Sequence, residues 1–226
     1  MTMMDQLLTA WTARSSKRAF RPEPLATDQL AQLFGAAQRA PSWCNVQPWR
    51  VCVTLPPLTA TLATALQQAA RSGLPRAELP FPLDYPPPYK QHRVACGVAL
   101  YQAMGVARDD KAGRYDAWLR NYALFDAPHV AIVACDRRLG PYAFLDVGVW
   151  LGYLLTAAQA LGIDTCPMAS VAAYPEPLRA HLPIADSDLV LFGIALGHAD
   201  DAAPANRART TREPLAANVT FVPSDV

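Results

Sequence analysis

Residues 144–161 read FLDVGVWLGYLLTAAQAL, eighteen positions carrying one charge, Asp146. Apolar residues fall on nearly every side of the helix this predicts, so the helix is expected at the centre of the fold. Gly148 and Gly152 stand four apart on it and permit close helix approach, read here as packing within a soluble core. Gly162 is a natural C-cap, and Ile163 to Met168 then reads as a short strand. Working outward, His129 to Cys135 (HVAIVAC) and Leu189 to Leu196 (LVLFGIAL) read as buried strands, and Trp49 to Leu55 (WRVCVTL) as one rich in β-branched residues. Few strands among many helices, without strict βαβα alternation, favour an α+β core with one sheet flanked by helices.

Between these strands the helices follow. A short one spans 5–13. Thr27 is a plausible N-cap for a second through LAQLFGAAQRA, with Leu30, Leu33, Phe34 and Ala37 at helical spacing, stopped by Pro41. Others are expected over Leu58 to Ala70, Gln91 to Val106, Arg108 to Tyr122 and Glu176 to Leu182. Residues 73–89 hold six prolines in seventeen positions, which no regular element survives. A loop this long is usually a functional lid. The polar stretch from 198 ends in a possible edge strand, Asn218 to Val222.

The chain has 226 residues, 52% of them hydrophobic and 17% charged, enough to bury a large core. Lys+Arg is 20 and Asp+Glu 19, for a net charge of +1, which argues against a protein that grips nucleic acid through a general positive field. The longest uncharged run, Val51 to Ala70, contains Pro56, Pro57 and two glutamines and fails as a membrane span. The N-terminal stretch carries Asp5 and lacks an apolar core before its basic residues, so it does not read as a signal peptide. Five cysteines without a CxxC, and four scattered histidines, suit neither a disulfide framework nor a metal site. A reduced, cytoplasmic protein is expected.

GxGxxG, GxxxxGK[ST] and GxSxG are all missing. What remains is two cationic clusters. Arg14-Ser15-Ser16-Lys17-Arg18 places three cations and two hydroxyls in five residues, and Arg207, Arg209 and Arg212 lie within six. Guanidinium forks, hydroxyls and free backbone N–H groups together suit a phosphate.

The run RSSKRAF (Arg14 to Phe20), followed by Glu23-Pro24 and APSWCNVQPW (Ala40 to Trp49), resembles the FMN-dependent nitroreductase family. So do ALGIDTCP (Ala160 to Pro167), GIALG (Gly193 to Gly197) and NRARTTREPL (Asn206 to Leu215), in the family's order. The Pro/Tyr-rich excursion and NYALFDAP (Asn121 to Pro128) are more similar to the branch acting on nitroaromatics. The resemblance implies one nitroreductase-like α+β domain over 1–226, with a central, mainly antiparallel sheet and flavin at a homodimer interface. A lid excursion is expected at about 73–122 and a C-terminal arm at about 198–226.

It also implies roles. Arg14, Ser16 and Arg18 match residues that hold the FMN phosphate and ribityl chain, with the Ser15 backbone nearby, and Arg212 and Arg209 match the tail cations that complete that site. Pro41, Ser42, Trp43 and Asn45 match a loop lying over the flavin from the partner subunit. Pro167, Met168, Ala169 and Ser170 match the segment meeting the flavin edge near N5, although many relatives carry Glu-Gly where this chain has Ala169-Ser170. Asn121 matches a contact at the pyrimidine end. Core packing is the reading for Trp49, and Cys44 is expected only to fill space.

The function implied is an NAD(P)H-dependent oxidoreductase that reduces nitroaromatics, through nitroso to hydroxylamine, or quinones, by a ping-pong hydride mechanism. The cofactor carries the redox chemistry, so no catalytic side chain is assigned. Tyr85, Tyr89 and Phe125 are candidates for the lid and wall of the substrate pocket, because aromatic faces suit flat substrates. Lys17 or Arg207 could meet the 2′-phosphate of NADPH, leaving NADPH and NADH both open. Two other readings stand: reductive dehalogenation or activated-alkene reduction on the same scaffold, and a flavin-sequestering protein with little turnover. The deiodinase branch clamps its substrate with an acid, a Tyr and a Lys. Glu78, Tyr85 and Lys90 lie nearby here, at a different spacing.

Overall fold

Four strands form one antiparallel sheet in the order β1-β2-β4-β3, in a computed structural model that describes residues 2–222. The strands are β1 (Trp49–Val53), β2 (His129–Asp136), β3 (Asp164–Met168) and β4 (Asp188–Gly197). Trp49 lies opposite Cys135, His129 opposite Leu196, and Asp164 opposite Gly197. Both faces are covered. Along β2, Val130 and Ile132 point into one core cluster and Ala131, Val133 and Cys135 into the other, the two-residue period of a strand.

The helices are α1 (Met3–Ala13), α2 (Thr27–Ala37), α3 (Leu58–Ser72), α4 (Tyr89–Met104), α5 (Lys111–Leu119), α6 (Pro141–Ala160) and α7 (Pro175–His181). One cluster collects α2 and α6 against the sheet, with Trp150 fully buried and stacked between Phe34 and Trp49, at 6.4 and 6.3 Å. The other collects Leu62 and Leu66 of α3, Leu178 of α7, and Phe125. Trp49 is core, as the sequence predicts, and its indole N–H donates to Gln38 Oε1 at 2.8 Å.

Several expectations are corrected. The helix at 141–160 lies on one side of the sheet and not at the centre. It buries Ala143, Val147, Trp150, Leu154 and Ala158, while Tyr142, Leu145, Val149 and Tyr153 are 41–65% exposed. Gly148 and Gly152 lie on that outward face with open space around them, so they make no close approach inside the chain. Thr27 is the first helical residue and not the cap. Ala26 holds the cap position, and its N–H is taken by Gln29 Oε1 at 3.0 Å. Asn218 to Val222 forms no strand.

The helix expected to reach Tyr122 stops at Leu119, because Leu124, Phe125 and Asp126 all adopt left-handed φ of 53–62°. Such residues cost about 1–2 kcal/mol each. Burial of Leu124 and Phe125, at 1% and 2% exposure, returns about 1.5–3 kcal/mol apiece, so the turn is held by what its side chains pack against.

Candidate functional site

Helix α1 ends at Ala13, and Arg14 caps it by donating its N–H to Ala10 O at 3.0 Å. The chain then runs extended beside β3, where Lys17 N–H donates to Thr165 O at 3.0 Å. Phe20 bridges to Ala199, just past β4. The first cationic cluster is thereby pinned to the sheet, and the tail reaches it through one buried side chain. Asn206 Oδ1 accepts from Arg18 N–H at 2.6 Å, and its amide donates to Ala19 O and Asp200 O, both at 2.8 Å. The sequence reading gave Asn206 no role. Its only visible signal is an amide beginning the tail motif directly after Ala203-Pro204-Ala205.

The two clusters meet around one cavity of about 530 Å³. Arg14, Ser15, Ser16, Arg18, Arg209 and Arg212 line it, with Leu8 and Trp11 of α1 and Cys96 and Leu100 of α4. Among the described residues no acid lines this cavity. Burial first, and then the nearby charge of Arg212, hold the Arg14 guanidinium below its ordinary pKa. Arg209 and Arg212 donate only to neighbouring carbonyls and to Thr210 Oγ1. Ser15 Oγ is buried without a hydrogen-bond partner among the described residues. An unpaired buried hydroxyl beside uncompensated guanidiniums is a site short of an anion with several acceptor oxygens. Near Arg18, Ser16 and Arg14, burial pushes the Cys166 thiol up to about 11, so it stays neutral.

Arg18 and Leu100 also line an adjoining cavity of about 340 Å³. Its other walls are Met104 of α4, Ala117 of α5, Arg120, Asn121, Phe125, and the turn Ala203 to Ala205. Asn121 donates to Trp118 O at 2.9 Å and accepts from Ser170 Oγ at 3.4 Å, which ties it to the segment after β3. That segment leaves the sheet with Pro167 half-buried, Met168 buried and Ala169 exposed. Neither cavity is lined by an acid or a histidine among the described residues. Tyr122, beside Asn121, has its phenol pushed up to about 12 by burial and by Tyr174.

The loop at 41–45 lies elsewhere in the chain. Trp43 N–H donates to Asp146 Oδ1 at 3.0 Å and its ring packs on Tyr142 at 5.0 Å, on the outward side of α6. Ser42 Oγ accepts from Gln47 N–H at 2.9 Å, and Cys44, Asn45 and Gln47 all carry positive φ. Cys44 is exposed and fills no space, a correction to the sequence reading, because its left-handed backbone turns it out of the fold.

Tyr85 and Tyr89 line neither of the two cavities. Tyr85 packs under Arg93 at 5.4 Å, and Tyr89 is 60% exposed. Phe125 does reach the second cavity, from a buried position. Glu78 is committed elsewhere: it accepts from Arg179 at 2.7 and 3.0 Å and from Val190 N–H at 2.8 Å, which anchors the proline-rich loop. Lys90 pairs with Asp84 at 3.9 Å. The clamp of the deiodinase branch is therefore not assembled.

A family model described as "Nitroreductase family" matches residues 12–198. The chain is 32% identical over 212 residues to a nitrobenzene nitroreductase of Ectopseudomonas oleovorans, covering 92% of this chain and 93% of that one. It is also 32% identical over 213 residues to a 4-nitrobenzoate reductase of Pseudomonas putida, covering 93% of each. Among solved structures, the FMN and NADPH-dependent nitroreductase NfnB from Sphigopyxis sp. strain HMH superposes with a TM-score of 0.92 at 34% identity, over 96% of this chain and 99% of that one. The FMN-dependent nitroreductase NfnB from Mycobacterium smegmatis, in complex with NADPH, gives 0.93 at 29% identity, over 97% and 100%.

Proposed function

Because the chain belongs to the nitroreductase family, we propose that it is an FMN-dependent oxidoreductase that uses NAD(P)H to reduce nitroaromatic compounds. The observation that carries this reading is the cavity walled by four guanidiniums from both ends of the chain, with the unpartnered Ser15 hydroxyl inside it. The fit to FMN is chemical: a phosphate close to two negative charges would supply the counter-charge that Arg14, Arg18 and Arg212 lack and the partner that Ser15 Oγ lacks. When bound, FMN supplies hydride transfer between the reduced nicotinamide and the nitro group.

The chain's own residues bind and orient. Arg14, Ser15, Ser16, Arg209 and Arg212 hold the phosphate. Arg18, which lines both cavities, would bind the phosphate and ribityl chain. Asn121 and the backbone of Pro167 to Ser170 orient the ring edge. Helices α4 and α5, with Phe125, wall the second cavity. No side chain there serves as a proton source near neutral pH, so protons come from solvent.

The active form is a homodimer. The outward face of α6 carries Tyr142, Leu145, Val149 and Tyr153 next to Trp43 and Val46, a contiguous apolar surface typical of an interface. The loop holding Pro41, Ser42, Trp43 and Asn45 packs by that face through Trp43, and the family resemblance assigns it to a partner's flavin. The excursion at 73–122 acts as lid and the stretch from 198 as the arm that closes the phosphate site. Five free thiols fit a cytoplasmic setting.

The test is optical. Purified protein loaded with FMN shows a flavin spectrum that NADPH bleaches and nitrobenzene restores. Failure to take up FMN rejects the reading, and uptake without bleaching leaves only a binder.

A further inference from the structure

The turn that follows α5 is closed by an ion pair that the proposed chemistry has not used. Arg120 Nη1 donates to Asp126 Oδ1 at 2.9 Å, and Nη2 lies 2.8 Å from Oδ2, a two-pronged fork across six residues. Inside this bracket lie Asn121 and the three left-handed residues Leu124, Phe125 and Asp126. Consecutive left-handed residues other than glycine persist only where their surroundings over-determine them, and such strain concentrates at functional sites. Here the surroundings are specific. Phe125 N–H donates to Arg120 O at 3.1 Å, Leu124 N–H to Asn121 O at 3.2 Å, and Phe125 O accepts from Phe20 N–H at 3.1 Å. The turn is thus joined to the end of the first cationic motif, and Arg120, Asn121 and Phe125 all face the second cavity beside Arg18.

We infer that Arg120 and Asp126 form a positioning pair that fixes Asn121 against the pyrimidine end of the flavin. This rests on the assignment of FMN to the adjoining cavities. The fork fixes the distance between the two ends of the turn. That sets the backbone at Asn121, and the Ser170 contact completes the amide's orientation. The pair itself is half exposed, with side chains at 36% and 62%, so it contributes little to global stability. Its effect is local: it selects one arrangement of a strained turn whose side chains reach the cavity.

The experiment uses FMN-loaded wild type, Asp126→Asn, Arg120→Gln, Arg120→Lys, Asn121→Ala and the double variant Asn121→Ala/Asp126→Asn. Each is measured for Tm, FMN Kd, the visible spectrum of bound FMN, and kcat and KM with nitrobenzene. Asp126→Asn and Arg120→Gln are expected to lower kcat by up to about fivefold, the most that a half-exposed pair can bias the turn. FMN Kd should stay within about fivefold, the worth of one exposed ion pair. The flavin band is expected to shift in the same direction as in Asn121→Ala. Arg120→Lys, which keeps the charge and loses the fork, should fall between. In the Asn121→Ala background, Asp126→Asn should add nothing further. The inference is overturned if folded single variants keep the wild-type spectrum and kcat, or if their effects add to those of Asn121→Ala. Wild type that takes up no FMN overturns the functional reading itself, and this inference with it.

Discussion

Replacing Asn206 with alanine should separate the two cationic clusters that form the proposed phosphate site. Asn206 is 4% exposed and makes three side-chain hydrogen bonds, to Arg18 N–H, Ala19 O and Asp200 O. At about 1 kcal/mol net for each, Asn206→Ala costs about 3 kcal/mol. For a chain of this size that corresponds to roughly 6–12 °C in Tm. The second consequence is functional. Arg209 donates to Asn206 O at 2.8 Å, and Arg212 lies six residues further along the same tail. If the tail loosens, at least one guanidinium leaves the cavity. A charge-assisted hydrogen bond is worth about 1.5–3 kcal/mol, so FMN Kd should rise by roughly ten- to a hundredfold. Differential scanning fluorimetry on apo and loaded protein reads the first effect, and flavin fluorescence quenching reads the second. Unchanged Tm would refute the accounting of Asn206. A lowered Tm with unchanged FMN affinity would refute the claim that the tail arginines belong to the site.

Arg14→Ala should sharply reduce FMN retention. Arg212→Gln should do so more mildly while raising the Tm of the apo protein, because it removes the neighbouring charge that opposes Arg14; both are read by gel filtration of loaded protein and by thermal melts. Leu145→Glu, placed on the 65%-exposed outward position of α6, should yield monomers by light scattering and lose flavin, whereas a charge tolerated there removes this face from the interface. Burial raises the thiol pKa of Cys52, Cys135 and Cys166, so these hold their protons as pH rises to 8.5. Iodoacetamide mapped by mass spectrometry should therefore label exposed Cys44 and Cys96 first, and FMN should shield Cys96, which lines its cavity.

How much of this was legible follows from which forces act locally. The strands were readable because β2 and β4 are buried on both faces and so read as unbroken apolar runs. The arginine clusters were readable as charge, but their convergence was not. Nothing in the spacing of Arg14 and Arg212 encodes a meeting mediated by Asn206, and only the family resemblance brought them together. The sequence carries α5 on to Tyr122 because Leu124 and Phe125 have no turn-forming composition; their left-handed backbone is imposed by burial of both and by the Arg120 fork on Asp126. Glu78 stands near Tyr85 and Lys90 in sequence, at a spacing that does not match the clamp, and its actual partner Arg179 is 101 residues away, a pairing invisible to any local window.

The outward face of α6 links these observations. An apolar helix that buries only one stripe in its own chain leaves the other for a second surface. Gly148 and Gly152 lie on that open stripe, where the absence of side chains allows a facing backbone to come close. Trp43, itself 64% exposed, is held on the same face by Asp146 and Tyr142, away from the two cavities of the candidate site. The left-handed backbone at Cys44, Asn45 and Gln47 is held by Gln47 N–H on Ser42 Oγ, Gln47 Nε2 on Asn45 O and Trp43 N–H on Asp146, so the loop is presented on this face in a fixed shape. Pairing two chains across α6 satisfies the apolar stripe, the glycines and the loop at once. Under the proposed pairing, flavin retention is expected to depend on protein concentration; retention unchanged on dilution would count against a site shared between chains.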